Sequence, residues 1–136
     1  MTAQNRGLAD AQFPVSKALP NGAASVNSDS IDLAHSTNGL HLADCELKIN
    51  APALATAALP DTKTMTYKVE DSADDSSFAT IADAVLVQTG AGGAGAAAAE
   101  KRFRLPSTVR RYVRVTATNS GAGDASGSSL TADLMF

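Results

Sequence analysis

The residues of this chain that could ligate a metal ion or act as a nucleophile lie around one turn. His35 and His41 are the only histidines, and Asp44 and Cys45 follow them. A structural zinc site needs four ligands at a characteristic spacing, and the chain has no second cysteine. Cys45 also lacks a helix N-terminus or a basic neighbour other than Lys48 to favour its reactive thiolate form. The segment therefore predicts neither a metal site nor a catalytic thiol.

Two further segments resemble ligand sites in composition alone. Asp71, Asp74 and Asp75 offer oxygen ligands for calcium, but their spacing lacks the alternating ligands and central glycine of an EF-hand loop. Residues 90–95, Gly-Ala-Gly-Gly-Ala-Gly, do not open a helix within a βαβ unit, as a phosphate-binding loop must. We interpret the first as a solvated hairpin tip and residues 89–99 as a mobile, low-complexity loop. We therefore expect no catalytic residue, no cofactor and no enzyme activity.

Basic and aromatic residues interleave in residues 101–104, Lys-Arg-Phe-Arg, and 110–114, Arg-Arg-Tyr-Val-Arg. Such a pattern can serve single-stranded nucleic acid, but the chain's net charge of −3 disfavours non-specific binding. Arginine is also favoured at protein interfaces, where it makes bidentate contacts with carboxylates. On a strand, Arg110, Tyr112 and Arg114 share one face, while Arg111 lies on the other. We predict that Arg110, Tyr112 and Arg114 contact a protein partner with acidic groups and that the chain does not bind nucleic acid directly.

The elements that carry these residues are predicted from period-two alternation of apolar and polar side chains. In one segment the alternation places Cys45 inward with Leu47 and Ile49, which predicts a buried thiol. Helical periodicity is confined to two short runs, 53–58 and 79–84. Seven or eight strands joined by turn formers predict an all-β, antiparallel β-sandwich, with jelly-roll and immunoglobulin-like topologies both open. The alternating segments are 24–34, 42–50, 64–70, 110–118 and 130–136.

The chain of 136 residues fits one domain, which we place at 23–136 behind an extended arm, 1–22. The arm has isolated apolar residues and prolines and cannot form a core of its own. An extended arm can lie across a neighbouring protein, and Phe13, Pro14 and Val15 are the predicted anchors. Packing of the arm on its own domain is the alternative interpretation.

Composition and charge limit the partners and the location. Six of the eleven basic residues lie between Lys101 and Arg114, whereas acidic residues cluster in 70–75. This separation suits either a head-to-tail contact between copies or two solvated hairpins. No signal peptide is recognisable and no stretch reaches membrane-spanning length, so we expect a soluble protein made in the cytoplasm.

Several segments of the chain, taken together, form a recognisable arrangement. They are the proline-containing arm, Ser-Asp-Ser-Ile-Asp-Leu at 28–33, Tyr-Lys-Val-Glu-Asp-Ser-Ala-Asp-Asp-Ser-Ser-Phe at 67–78, Phe-Arg-Leu-Pro at 103–106, and Arg-Tyr-Val-Arg-Val at 111–115. This arrangement resembles the small jelly-roll cement (decoration) proteins of tailed-bacteriophage heads. The resemblance implies a jelly roll without catalytic residues or cofactors. It also implies a protein on the capsid surface of the virion, commonly a trimer, that clamps neighbouring major capsid proteins.

Two other functions stay open at this stage. A carbohydrate- or receptor-binding sandwich module of a virion is one, although sugar platforms use exposed aromatic rings and the chain has no Trp. Tyr112 is the one plausible exposed ring. Another virion component, such as a tail or head-completion protein, is the other.

Overall fold

A computed structural model of the chain describes residues 14–33 and 45–135. These residues form nine β-strands and no helix. Phe13, His35, His41, Asp44 and Phe136, which the sequence analysis considered, lie outside the described residues. The strands are β1 (Val15–Ala18), β2 (Ser25–Asn27), β3 (Ile31–Asp32), β4 (Glu46–Ala51), β5 (Thr64–Ser72), β6 (Ala79–Thr89), β7 (Ala99–Arg104), β8 (Tyr112–Asn119) and β9 (Ser129–Met135).

The strands pair as one long hairpin that has been rolled up. The turn between β5 and β6 is its tip, and successive pairs lie outward from it: β4 with β7, β2 and β3 with β8, and β1 with β9. Two lateral ladders, β4 with β9 and β5 with β8, then join these pairs into two antiparallel sheets. The first sheet has the order β1-β9-β4-β7, and the second has β2-β8-β5-β6 with β3 beside β8. This nested pairing is the jelly roll, which confirms the predicted all-β sandwich.

The alternation that predicted the strands also builds the core. Leu47 and Ile49 of the first sheet and Val113 and Val115 of the second are fully buried, whereas the residues between them, Lys48 and Arg114, are partly exposed. Cys45 is buried too, as its place in the pattern predicted. One apolar layer between two sheets is the expected result when each strand has one buried face.

A polar pair spans this core without leaving an unsatisfied donor. The Tyr67 hydroxyl on β5 donates to Oε1 of Gln88 on β6 at 2.8 Å. The Gln88 amide donates to the carbonyl oxygens of Pro52 and Ala97, at 2.8 and 2.9 Å. Burial raises the pKa of Tyr67, so its hydroxyl keeps the donor proton. Gln88 thereby ties the second sheet to the segments that flank β4 and β7.

The glycine-rich loop, predicted to be mobile, is held by hydrogen bonds. Leu54 and Ala96 exchange two backbone hydrogen bonds of 2.8 and 2.9 Å, and the Gly93 amide donates to the Asp61 carboxylate at 2.9 Å. Gly95 has a φ of +71°, and a Cβ there would lie 1.9 Å from the Leu54 carbonyl oxygen. The glycine is therefore required by close backbone approach as well as by its conformation.

One of the two predicted helical runs needs correction. Residues 79–84 are not a helical turn but the first part of β6. This edge strand has two register shifts against β5, and Ala84 has a φ of +50°, so bulges break its alternation. In the other predicted run, the Leu59 amide donates to the Ala55 carbonyl oxygen, which makes a single helical turn.

The described part of the predicted arm lies within the sandwich. Val15–Ala18 form β1, an edge strand that pairs with β9, and Leu19 is buried in the core. Packing against its own domain, the alternative interpretation of the terminus, therefore holds for residues 15–19. Residues 1–13 lie outside the described residues.

Gly95→Ala is expected to lower the free energy of unfolding by more than about 2 kcal/mol, because its Cβ would displace the Leu54 backbone and its φ would be strained. Gly127→Ala is the matched control, since a Cβ there meets no atom within 4 Å. Urea denaturation of both variants tests this. Equal stability of the two variants would contradict the close approach.

Candidate protein-interface site

The pairing of β5 with β8 brings acidic residues of one strand next to arginines of the other. Glu70 lies opposite Arg114, and Ser72 lies opposite Tyr112. Arg110 and Arg111 precede β8 in the chain and reach the same end of the second sheet. Three arginine–carboxylate ion pairs meet here, so we describe this end of the sheet as the candidate site.

Asp71 and Arg110 form the most enclosed ion pair of the site. The Asp71 side chain is buried, and its carboxylate accepts the Arg110 backbone amide at 2.9 Å, Nε at 2.9 Å and Nη2 at 2.6 Å. Nη2 also donates to the Asp71 carbonyl oxygen at 2.7 Å. The hydrogen bonds with Asp71 raise the pKa of Arg110 above its ordinary value. This charge-assisted network fixes the approach of the chain into β8.

Glu70 and Arg114 form a second pair on the outward side of the sheet. Glu70 Oε1 accepts Arg114 Nε at 2.9 Å and the Thr116 hydroxyl at 2.8 Å, and Oε2 lies 3.2 Å from Lys68 Nζ. Burial acts to raise the pKa of Glu70, but the hydrogen bonds from Thr116, Arg114 and Lys68 outweigh it and lower the pKa. The Arg114 guanidinium carbon also lies 3.9 Å from the centre of the Phe78 ring. Arg114 is thus held by a carboxylate and by a cation–π contact.

Arg111 forms the third pair, and its position corrects the sequence prediction. Alternation placed it on the same face as buried Val113. Because β8 begins at Tyr112, Arg111 is outside the strand and its side chain turns to Asp32 of β3. Nε and Nη2 donate to the two carboxylate oxygens of Asp32 at 2.8 and 2.9 Å. The Arg111 guanidinium also lies over the Tyr112 ring, 5.3 Å from its centre.

The acidic hairpin tip beside these pairs is organised by Asp74. Its Oδ1 accepts the backbone amides of Ser77 and Ser76, at 2.9 and 3.0 Å, and the Ser72 hydroxyl at 2.8 Å. Led by the Ser77 amide, these hydrogen bonds lower the pKa of Asp74 to about 2. The carboxylate closes the turn between β5 and β6. Within residues 14–33 and 45–135, no three potential metal-ligating side chains come together.

The predicted interface residues separate into two groups. Pro14 is exposed and Val15 is half-buried on β1, at the edge of the first sheet, while Phe13 lies outside the described residues. Arg110, Tyr112 and Arg114 all lie near one end of the second sheet, but they do not share the predicted face. Arg110 binds Asp71, which lies opposite inward-facing Val113, whereas Arg114 binds Glu70 on the outward side. Their partner contacts stay a prediction, since Arg110 and Arg114 are both engaged by carboxylates of their own chain. Tyr112, the suggested sugar platform, has Arg111 stacked over its ring.

Sequence reasoning missed the residues that hold this group in place. Glu70 and Asp71 had been assigned to a solvated hairpin, yet both are buried. Phe78 and Asp32 were not considered as arginine partners. The available signal was the Glu-Asp pair at the end of one alternating segment and the Arg-rich start of another, which antiparallel pairing could bring together.

Comparisons with known proteins give one family match and one shared fold. A sequence model of the Bbp16 family matches residues 13–132. Curated proteins give no match. The crystal structure of PBSX exported protein XepA is similar with a TM-score of 0.53 and 14% identity, covering 99% of this chain and 38% of that one. At this identity the likeness shows the fold alone, and this chain spans well under half the length of that protein.

Two other solved structures are less similar. The structure of infectious bursal disease virus Gt strain has a TM-score of 0.36 and 10% identity, covering 90% of this chain and 28% of that one. A CBM4 structure has a TM-score of 0.33 and 17% identity, covering 96% and 85%. We draw no conclusion from either. Among the described residues, no helix is long and apolar enough to cross a membrane.

Arg110→Ala is expected to lower the free energy of unfolding by about 2 kcal/mol, because it leaves the buried Asp71 carboxylate without its guanidinium partner. Arg102→Ala, on exposed β7, is the matched control, with an expected change within about 0.5 kcal/mol. Denaturant titration at neutral pH measures both. Similar small losses for the two variants would show that the Asp71 pair contributes little.

Acid should destabilise the domain through Glu70 and Asp74. Both pKa values are lowered in the folded chain, from 4.5 and 3.8, so the unfolded chain binds protons at higher pH. Stability is therefore complete above about pH 5 and is lost as the pH falls toward 2. Asp74→Asn should flatten the lower part of this profile, measured by denaturation at several pH values. Asp83→Asn, at an exposed position of β6, is the control, and an unchanged profile in Asp74→Asn would contradict the role of Asp74.

Proposed function

The chain belongs to the Bbp16 family, and on that premise we propose that it is a structural protein of a phage virion, a cement (decoration) protein of the head. It would bind the outer surface of the capsid and stabilise contacts between neighbouring major capsid proteins. The observation that carries the proposal is the family match over residues 13–132 in a chain that folds as a jelly roll. The fold shared with a PBSX exported protein supports a phage association.

The chemistry of the candidate site supports a binding role without catalysis. Glu70, Asp71 and Asp32 each accept hydrogen bonds from an arginine of the same chain. Carboxylates held in this way stabilise the end of the sheet and are poorly suited to proton transfer. We therefore propose a protein that is not an enzyme and uses no cofactor.

Multivalent binding is the proposed mechanism. A 136-residue domain presents a small surface, so each contact with a capsid subunit would be weak. A homotrimer that contacts several subunits at once gains avidity, because each further contact forms at high effective concentration. The chain enters the domain at β1, the edge of the first sheet, so residues before it would be placed to contact a further capsid subunit.

The direct test mixes the purified protein with heads of the encoding phage that lack it. We expect the protein to co-sediment with the heads and to raise the temperature at which they release DNA. Light scattering of the free protein should give a trimer. Absence of binding to the heads, or binding that leaves head stability unchanged, would refute the cement function.

Deletion of residues 1–13 is expected to weaken binding to these heads at least about tenfold, because the deletion removes the apolar residues Leu8 and Phe13. The cut leaves β1 and Leu19 in place, so the circular dichroism spectrum and the melting temperature should not change. Deletion of residues 1–7 is the control, since it keeps both apolar residues. Wild-type affinity in the longer deletion would exclude a binding role for the arm.

A further inference from the structure

Away from its charged end, the outward face of the second sheet carries short, uncharged side chains. Because Ala117 faces the core, its neighbour Thr118 faces outward, and Thr116 lies on the same side but is buried. The ladder register aligns Thr118 with Ser25 on one side and with Thr66 on the other. Thr66 in turn lies opposite Val87, the large apolar side chain that is 45% exposed. Depletion of charge is the mark of the central part of a protein interface.

Hydrogen bonds between side chains keep this face in one arrangement. The Ser25 and Thr118 hydroxyls lie 2.7 Å apart, and the Thr116 hydroxyl donates to Asn27 and to Glu70, at 2.8 Å each. A surface whose side chains are already ordered loses little conformational entropy when a partner binds. The face is therefore suited to a partner surface of fixed shape.

Arg114 stands at one end of the face with unused donors. Arg110 and Arg111 each use Nε and Nη2 for a carboxylate, whereas Arg114 uses only Nε, for Glu70. Among residues 14–33 and 45–135, its two terminal amino groups have no hydrogen-bond partner. Glu70 and the Phe78 ring fix the plane of the guanidinium, and 23% of the side chain is exposed. Such a pre-oriented pair of amino groups fits a carboxylate from outside.

We infer that the outward face of the second sheet is the surface with which this protein docks on the major capsid protein, with Arg114 binding a carboxylate of that partner. The inference rests on the proposed function and adds to it the face and the contact chemistry. The partner it requires presents an acidic side chain at the rim of a surface with few charges. The outward face of the first sheet differs, because charged pairs such as Lys48 with Glu100 cross its middle, whereas the charged residues of the second sheet's outward face, such as Glu70 and Arg114, lie toward one end.

The decisive experiment compares the same substitution on the two sheets. Thr66 and Thr131 both lie on central strands and both face outward, Thr66 on the second sheet and Thr131 on the first. We expect Thr66→Glu to weaken binding to heads that lack the protein at least about tenfold, because it places a charge in the middle of the face. Thr131→Glu should change the dissociation constant by less than about twofold. Both variants should melt cooperatively near the wild-type temperature.

Arg114→Lys tests the carboxylate contact with the charge retained. A lysine keeps the positive charge but loses the planar pair of amino groups, so the dissociation constant should rise at least about tenfold. Arg102→Lys, on the first sheet, is the control and should leave it unchanged. Wild-type affinity in both Thr66→Glu and Arg114→Lys would overturn the inference, as would a larger loss with Thr131→Glu.

The remaining outcomes separate this inference from the proposed function. If the wild-type protein does not bind the heads, the cement function itself fails. If it binds but Thr66→Glu breaks up the free oligomer in light scattering, the face joins copies of this chain, and the inferred capsid contact is wrong. Loss of head binding with an intact oligomer supports the inference.

Discussion

The ladder between β5 and β8 is the contact on which the other features of this structure depend. It runs over eight residue pairs, from Met65 opposite Asn119 to Ser72 opposite Tyr112, at the centre of the second sheet. Its inward residues, such as Tyr67 and Val115, line the core from the second sheet. Its last pairs bring Glu70 to Arg114 and place Asp71 within reach of Arg110. A shift of one residue in the register of β5 against β8 would turn the buried apolar side chains toward solvent. The same shift would move the carboxylates of β5 away from their arginine partners.

The ion pairs stabilise buried carboxylates, and they also fix the positions of arginine side chains at the surface. Buried carboxylates are costly unless they are hydrogen-bonded, and here each accepts two or more donors. The same contacts fix the side chains of Arg111 and Arg114, which face outward beside the aromatic rings of Tyr112 and Phe78. The end of the sheet is thus rigid, and its remaining donors point away from the core. This link between internal pairing and outward presentation underlies the proposed docking face.

Sequence periodicity predicted the parts of the fold that have one buried face. The alternating segments at 42–50, 64–70, 110–118 and 130–136 correspond to β4, β5, β8 and β9, because burial on one side imposes a period of two. Residues 79–84 were misassigned, because the bulges of an edge strand break that period.

The candidate site was predicted only in part. Arg110, Tyr112 and Arg114 lie near one end of the second sheet, but the carboxylates that hold Arg110 and Arg114 come from β5, far away in sequence. Which strands pair depends on how the whole chain packs, and local pattern does not encode it. Arg111 is a smaller example of this limit of sequence prediction. It lies one residue before the first residue of β8, so the alternation of the strand does not fix the direction of its side chain.

Electron cryomicroscopy of the encoding phage's heads, with and without this protein, tests the central claim most directly. The account predicts density for a jelly roll on the outer capsid surface, with β5 and β8 turned toward the major capsid protein and Arg114 next to an acidic side chain. The density should be absent from heads that lack the protein. Heads without such density in the wild type, or a jelly roll that contacts the capsid through its first sheet, would contradict the account.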